Sequence, residues 1–333
     1  MLDGLEPGMK LPAKTSRIFV AGHRGLVGSA LVRKLCEDGF SNLVLRDRHQ
    51  LDLRDQAATS NFFSSERPEF VFLAAARVGG IKANSDRPAE FLYENIAIQT
   101  NVIHAAWSSG VTKLLFLGSS CIYPKFSPMP IKEDALLTGP LEPTNEAYAV
   151  AKIAGLKMAQ CYRSQYGFRA ISLMPTNLYG PGDNFELASS HVLPALIRKI
   201  DDAKAAHSQQ VTLWGTGSPR REFLHVDDLA AAAVFAMDRY EEVEPLNVGT
   251  GEDLSIQELA QCVSDIVGFR GSIVFDSSYP DGTPRKVLDV SRINRLGWKA
   301  RIPLRKGIES TYQWYRTNVR VNLDACAEPM TTR

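Results

Sequence analysis

Three glycines in the spacing GxxGxxG, Gly22, Gly25 and Gly28, stand between an apolar run that ends at Ala21 and a helix-length stretch that begins at Leu26. No other feature restricts the chain as much. Glycine permits a tight turn, lets the backbone approach a pyrophosphate, and lets a strand and a helix pack closely. Strand, turn and helix in this order open a dinucleotide-binding βα unit. The residues such a turn would set around a cofactor are Gly22, His23, Arg24, Gly25, Leu26, Val27 and Gly28.

The chain that follows repeats the unit. Short, nearly all-apolar runs fall at 17–21, 42–45, 70–74, 113–117 and 170–174, with helix-length stretches at 26–38, 54–64, 88–109 and 145–166 between them. Unbroken apolar runs suit parallel strands buried on both faces. Five βα repeats predict an α/β fold with a doubly wound parallel (Rossmann) sheet. After Tyr179-Gly180-Pro181-Gly182 the rhythm becomes irregular. Helices are expected near 191–204, 228–238, 255–267 and 305–317, and strands near 211–214, 245–248 and 272–276, the one at 245–248 returning to the main sheet. The division expected is a dinucleotide-binding domain at 16–182 and about 225–250, and a smaller, discontinuous α/β substrate domain at about 183–224 and 251–318. Tails are expected at 1–15 and 319–333.

Composition narrows the partners. A net charge of +1 over 333 residues gives no bulk field for nucleic acid or an acidic membrane. No apolar run approaches the roughly 20 residues that span a bilayer. Residues 1–15 lack the apolar core of a signal peptide. Five scattered cysteines without a CxxC pair argue against a disulfide framework or a metal site, and for a reducing compartment. A cytoplasmic protein is expected.

At the end of the second strand stand Arg46-Asp47-Arg48. NAD binders usually carry an acid there for the ribose 2′-hydroxyl, whereas a guanidinium suits a 2′-phosphate. Arg46 in the acid's place, with Arg24 and Arg48 close in sequence, favours NADP(H) over NAD. Asp52, followed by Leu53, either bonds the adenine amino group or caps the next helix.

Small hydroxyl residues follow the fourth run in Gly118-Ser119-Ser120-Cys121, where cofactor and substrate would meet. Tyr148-Ala-Val-Ala-Lys152 puts a phenol and an ammonium at i and i+4, on one helix face. A phenol can protonate a carbonyl oxygen during hydride delivery, and a nearby ammonium is expected to draw its pKa toward neutrality. Lys152 could also hold the nicotinamide ribose, while Ser119 adds a second hydrogen bond to the reacting oxygen. Taken alone, Cys121 reads as a buried core cysteine and His191 as a residue at a helix start.

Several stretches together carry a resemblance: 21–28 (AGHRGLVG), 73–80 (LAAARVGG), 115–124 (LFLGSSCIYP), 141–146 (LEPTNE), 174–181 (MPTNLYGP), 221–228 (REFLHVDD) and 280–286 (PDGTPRK). Through them, from about Arg17 to about Asn318, the chain resembles the extended short-chain dehydrogenases/reductases, which act largely on nucleotide sugars. The nearer likeness is to members that epimerise C3 and C5 of GDP-4-keto-6-deoxy-D-mannose and reduce C4 with NADPH. That likeness implies an acid/base pair at Cys121 and His191, and a reductive triad of Ser119, Tyr148 and Lys152. It implies nicotinamide contacts from Pro175, Thr176, Asn177, Leu178 and His191, and GDP-sugar contacts from Lys199, Trp214, Arg221 and Asp281. Lys199 stands where many members carry arginine. Asp227 and Asp228 are expected to cap their helix instead. A homodimer through the helices at 88–109 and 145–166 is also implied. The rivals are a 4-epimerase or 4,6-dehydratase of the same fold and a non-catalytic NADP-binding sensor. Dehydratases place Asp-Glu where this chain has Ser120-Cys121, and sensors lack the Tyr or Lys that it keeps.

Overall fold

The computed structural model describes residues 13–279 and 281–321; the tails expected at 1–15 and 319–333 lie largely outside them. Its first half runs β1 (Ile18–Ala21), α1 (Leu26–Glu37), β2 (Leu43–Val44), α2 (Gln56–Glu66), β3 (Phe70–Leu73), α3 (Ile81–Asp86), α4 (Pro88–Ser108) and β4 (Lys113–Leu117). Then come α5 (Glu146–Tyr166), β5 (Ala170–Pro175), β6 (Asn177–Tyr179), α6 (Val192–Ala205), β7 (Gln210–Trp214), β8 (Arg220–Arg221) and β9 (Phe223–His225). The chain continues with α7 (Val226–Arg239), β10 (Leu246–Val248), β11 (Leu254–Ser255), α8 (Ile256–Val267), β12 (Ser272–Asp276), β13 (Arg285–Lys286), α9 (Ser291–Arg295) and α10 (Leu304–Tyr315).

Six parallel strands form the main sheet in the order β2-β1-β3-β4-β5-β10. Strands β1, β3, β4 and β5 are buried at every position, the outcome expected of nearly all-apolar parallel strands; the buried Lys113 that starts β4 donates to Glu241 and three carbonyls. Helices α1 and α7 pack together, as do α2, α4 and α5, so the sheet is covered by two helical layers. Strand order reverses between β1 and β3, which opens a crevice at their carboxyl ends.

A second apolar cluster joins α6, α8 and α10 through Leu193, Ile197, Ile200, Leu259, Val263 and Ile308. Local signals fix its helices. Ser255 and Glu258 make a reciprocal capping box on α8, and Gly268 ends that helix with a φ of +75°. Three small sheets carry the chain between the two clusters: β6 with β9, β7 with β12, and β11-β8-β13.

Glu222, fully buried, ties these pieces together. Its Oε1 accepts the N–H groups of Thr250 (2.6 Å) and Gly251 (2.8 Å), and its Oε2 that of Leu288 (2.8 Å). Its own carbonyl accepts from Thr176 Oγ1 and Asn177 Nδ2. A buried N–H left without a partner costs about 1–3 kcal/mol. The expected result for Glu222→Ala is therefore a loss of about 3–5 kcal/mol in urea unfolding, and a loss under about 1 kcal/mol would contradict this role.

Candidate active site

One cavity of about 960 Å³ occupies the crevice, and most of the sequence-predicted residues line it. They are the glycine turn 22–28, Arg46, Arg48, Asp52, Leu53, Ser119, Cys121, Tyr148, Lys152, the segment 175–178, His191 and Arg221. Lys199, Trp214 and Asp281 do not line it.

The glycine turn is shaped as a cradle. Gly22 has a φ of +83°, and a Cβ there would meet the Ala75 backbone at 2.7 Å. A Cβ on Gly28 would lie 2.0 Å from the Gly22 carbonyl oxygen. Helix α1 starts without a side-chain cap and without an acid in its first turn, leaving its N–H groups for an anion. These features fit a dinucleotide pyrophosphate. The three arginines each carry a carboxylate: Arg24 with Asp47 (2.9 Å), Arg46 with Glu66 (2.6 Å) and Arg48 with Asp52 (3.9 Å). Asp52 caps no helix, contrary to one of its two expected roles. Asp55 caps α2 by accepting the Ala58 N–H, while Asp52 clamps Arg54, whose bonds hold the carboxyl down at about 2.

At the chemical end, α5 presents Tyr148 and Lys152 to the cavity across from the turn that follows β4. Ser119 accepts the Cys121 N–H (3.2 Å), and its hydroxyl faces the Tyr148 phenol closely enough to favour the phenolate. Lys152 Nζ donates to the Leu117 carbonyl (2.8 Å) and sits 5.8 Å from the Tyr148 ring centre. The expectation that lysine draws the phenol toward neutrality does not hold here. Burial dominates: it raises the Tyr148 pKa, with the nearby Cys121 adding to the rise, and it pushes Lys152 down to about 8. The phenol therefore stays protonated at neutral pH. His191 opens onto the cavity at the start of α6, and desolvation lowers its pKa.

Lys199, Trp214 and Asp281 form a neighbouring patch. Lys199 Nζ stands 4.7 Å above Trp214, which stacks on Tyr279 at 4.5 Å, and Asp281 accepts from Thr216. Asp227 and Asp228 are not the cap of α7. His225 accepts the Asp227 N–H, Asp227 pairs with Arg33, and Asp228 accepts from Arg301 and Ile302.

Comparison with known proteins decides the family. The model of the NAD dependent epimerase/dehydratase family matches residues 18–249. The chain belongs to this family. It is 60% identical over 306 residues to GDP-L-fucose synthase 1 of Arabidopsis thaliana, covering 92% of this chain and 95% of that one. It is 54% identical over 311 residues to GDP-L-fucose synthase of Escherichia coli K12, covering 91% and 97%. A crystal structure of a GDP-L-fucose synthetase from Naegleria fowleri bound to NADP superposes with a TM-score of 0.87 at 29% identity, covering 95% of this chain and 98% of that one.

This epimerase/dehydratase chain also lines its cavity with residues that sequence reasoning passed over: Asn145, Asp183 and Lys286. Asn145 and Lys286 lie inside the stretches that carry the resemblance, at 141–146 and 280–286, but nothing in their spacing marks them. Asp183 is nearly enclosed; its Oδ1 accepts the Asn184 N–H (2.7 Å), and its Oδ2 has no partner. Burial lifts its pKa from 3.8 to about 7. Between these values the folded protein keeps a proton that the unfolded chain has lost, so stability falls as pH rises through the window. The stability gained by Asp183→Asn is expected to be small near pH 4 and to grow to roughly 4 kcal/mol at most above pH 7. Urea unfolding at both pH values checks this, and an equal gain at both would contradict it.

Proposed function

We propose that this chain converts GDP-4-keto-6-deoxy-D-mannose to GDP-L-fucose, epimerising C3 and C5 and then reducing C4 with NADPH. What supports the reading most is one shared cavity, where a thiol, an imidazole, a phenol and a serine adjoin a glycine cradle. The 4-keto group acidifies the hydrogens on both neighbouring carbons. The Cys121 thiolate takes one of these protons, and the C–H electron pair moves onto the C4 oxygen as an enolate. Ser119 and Tyr148 donate hydrogen bonds to that oxygen. Protonated His191 returns a proton to the opposite face, and its lowered pKa makes it a stronger acid toward carbon. The same pair acts at the second carbon.

NADPH, when bound, supplies a hydride for C4. Tyr148, protonated because it is buried, gives its proton to the C4 oxygen. The resulting phenolate is stabilised by the Ser119 hydroxyl and the Lys152 ammonium. Gly22, Gly25 and Gly28 would hold the pyrophosphate, and Arg24, Arg46 and Arg48 a 2′-phosphate. Arg221 suits the sugar diphosphate, with Lys199, Trp214 and Asp281 beside the cavity for the rest of the nucleotide.

Two copies are inferred to pair through α4 and α5, whose outward faces expose Tyr93, Val150 and Tyr166. Among the described residues no helix is long and apolar enough to cross a membrane. Five scattered cysteines, suited to a reducing compartment, are the ground on which we propose the cytoplasm.

Two variants test the assignment. With the GDP-4-keto sugar in heavy water, Cys121→Ser is expected to slow deuterium uptake at C3 and C5 at least about 100-fold. Tyr148→Phe is expected to slow NADPH oxidation by a similar factor while uptake continues. Full uptake by Cys121→Ser would remove Cys121 as the base. No NADPH oxidation by the unmodified protein would overturn the function itself.

A further inference from the structure

Strand register sends two cations into the cavity. Strand β13 pairs with β8 so that Arg285 lies opposite Arg220 and Lys286 opposite Arg221. Side chains alternate along a strand. Arg220 and Arg285 accordingly leave on one side, where both bind Asp253. Arg221 and Lys286 leave on the other and line the cavity. Lys286 forms no ion pair with a carboxylate among the described residues; its Nζ lies 3.8 Å from Cys121 Sγ.

Asn145 approaches the same sulfur. It occupies the N-cap position of α5, where an asparagine usually accepts a helix N–H, yet it makes no such bond. Its Nδ2 donates instead to Cys121 Sγ at 3.4 Å, and its buried Oδ1 has no partner. The start of α5, with the positive end of its dipole, is thus next to the sulfur as well. The charged and titratable groups facing Cys121 are Lys286 from β13, Arg221 from β8 and Tyr148 from α5. Two acids act on Arg221: Glu142, which is held by Lys125 (2.9 Å) and Thr283, and Asp281, which accepts from Thr216.

We propose that Lys286 is the charge partner of Cys121, a positioning residue whose ammonium, together with the Asn145 amide, favours the thiolate form of a sulfur aimed into the cavity. The link to turnover rests on Cys121 being the base toward carbon. In that step the S–H bond forms as the C–H bond breaks, the electron pair goes to the carbonyl oxygen, and the thiol proton later returns to water. Lys286 takes no proton in this scheme. Its charge sets the pH range in which the sulfur is ready.

The test uses the full chain without substrate. Alkylation of Cys121 by iodoacetamide is followed against pH, with the modified peptide identified by mass spectrometry so that other cysteines do not contribute. Lys286→Met is expected to move the alkylation midpoint up by about one unit, making the reaction about tenfold slower at pH 7. Lys286→Arg is expected to keep the midpoint near that of the unmodified protein. Asn145→Asp, which sets a carboxylate beside the sulfur, is expected to move it up too and serves if Lys286→Met fails to fold. An unmoved midpoint in a folded Lys286→Met protein, or in Asn145→Asp if that alone folds, overturns the proposal. So does a change confined to the KM for the GDP-sugar, which would assign Lys286 to the diphosphate. Deuterium uptake at C3 and C5 then separates the two claims. A shifted midpoint with unchanged uptake upholds the pairing of Lys286 with Cys121 and overturns Cys121 as the base.

Discussion

Glu222 has no contact with solvent, and its carboxyl can lie inside the protein only because three backbone N–H groups point at it. Those donors belong to the loop after β10 and to the segment after β13, while its carbonyl holds Thr176 and Asn177 after β5. One residue thus joins the edge of the main sheet to the small sheet that carries Arg221 and Lys286. Gly249 lies so close that a Cβ there would stand 2.1 Å from Glu222 Oε1. The cavity between the two apolar clusters keeps its shape because this junction cannot slide without stranding buried donors.

Desolvation then decides how each group in the cavity behaves. Burial disfavours charge, so it raises the phenol of Tyr148 and lowers both Lys152 and His191. These shifts leave a phenol ready to give a proton, a lysine still charged at neutral pH and an imidazole that is a strong acid when protonated. Cys121 differs from these groups in its neighbours: an ammonium and an amide N–H close on its sulfur. A cavity that holds one oxygen acid and one sulfur base can treat the same carbonyl compound in two ways.

Much of this was legible in the sequence, for physical reasons. Parallel strands buried on both faces are apolar at nearly every position, so the runs at 70–74, 113–117 and 170–174 marked β3, β4 and β5. The GxxGxxG turn has to be glycine because a Cβ collides at Gly22 and Gly28. Strands β8, β11 and β13 are two residues each, too short to show a period, so the register that aims Lys286 could not be read. Asn145 looks like an ordinary cap residue, and only tertiary contact turns its amide to Cys121. Asp52 and Asp228 were open to a capping role by residue type, but Arg54, two residues on, engages the first and the distant 301–302 backbone the second. Glu66, twenty residues from Arg46, pairs with it through the fold, and nothing local to 46–48 points to that partner.

The central claim is that proton exchange at carbon and reduction of the carbonyl take place in one cavity on one substrate molecule. NMR of the sugar formed from GDP-4-keto-6-deoxy-D-mannose and NADPH in heavy water tests it most directly. The expected product is GDP-L-fucose with deuterium at both C3 and C5 and ordinary hydrogen at C4. A reduced sugar that keeps its original hydrogens and configuration at C3 and C5 would contradict the claim and leave the chain a simple ketone reductase.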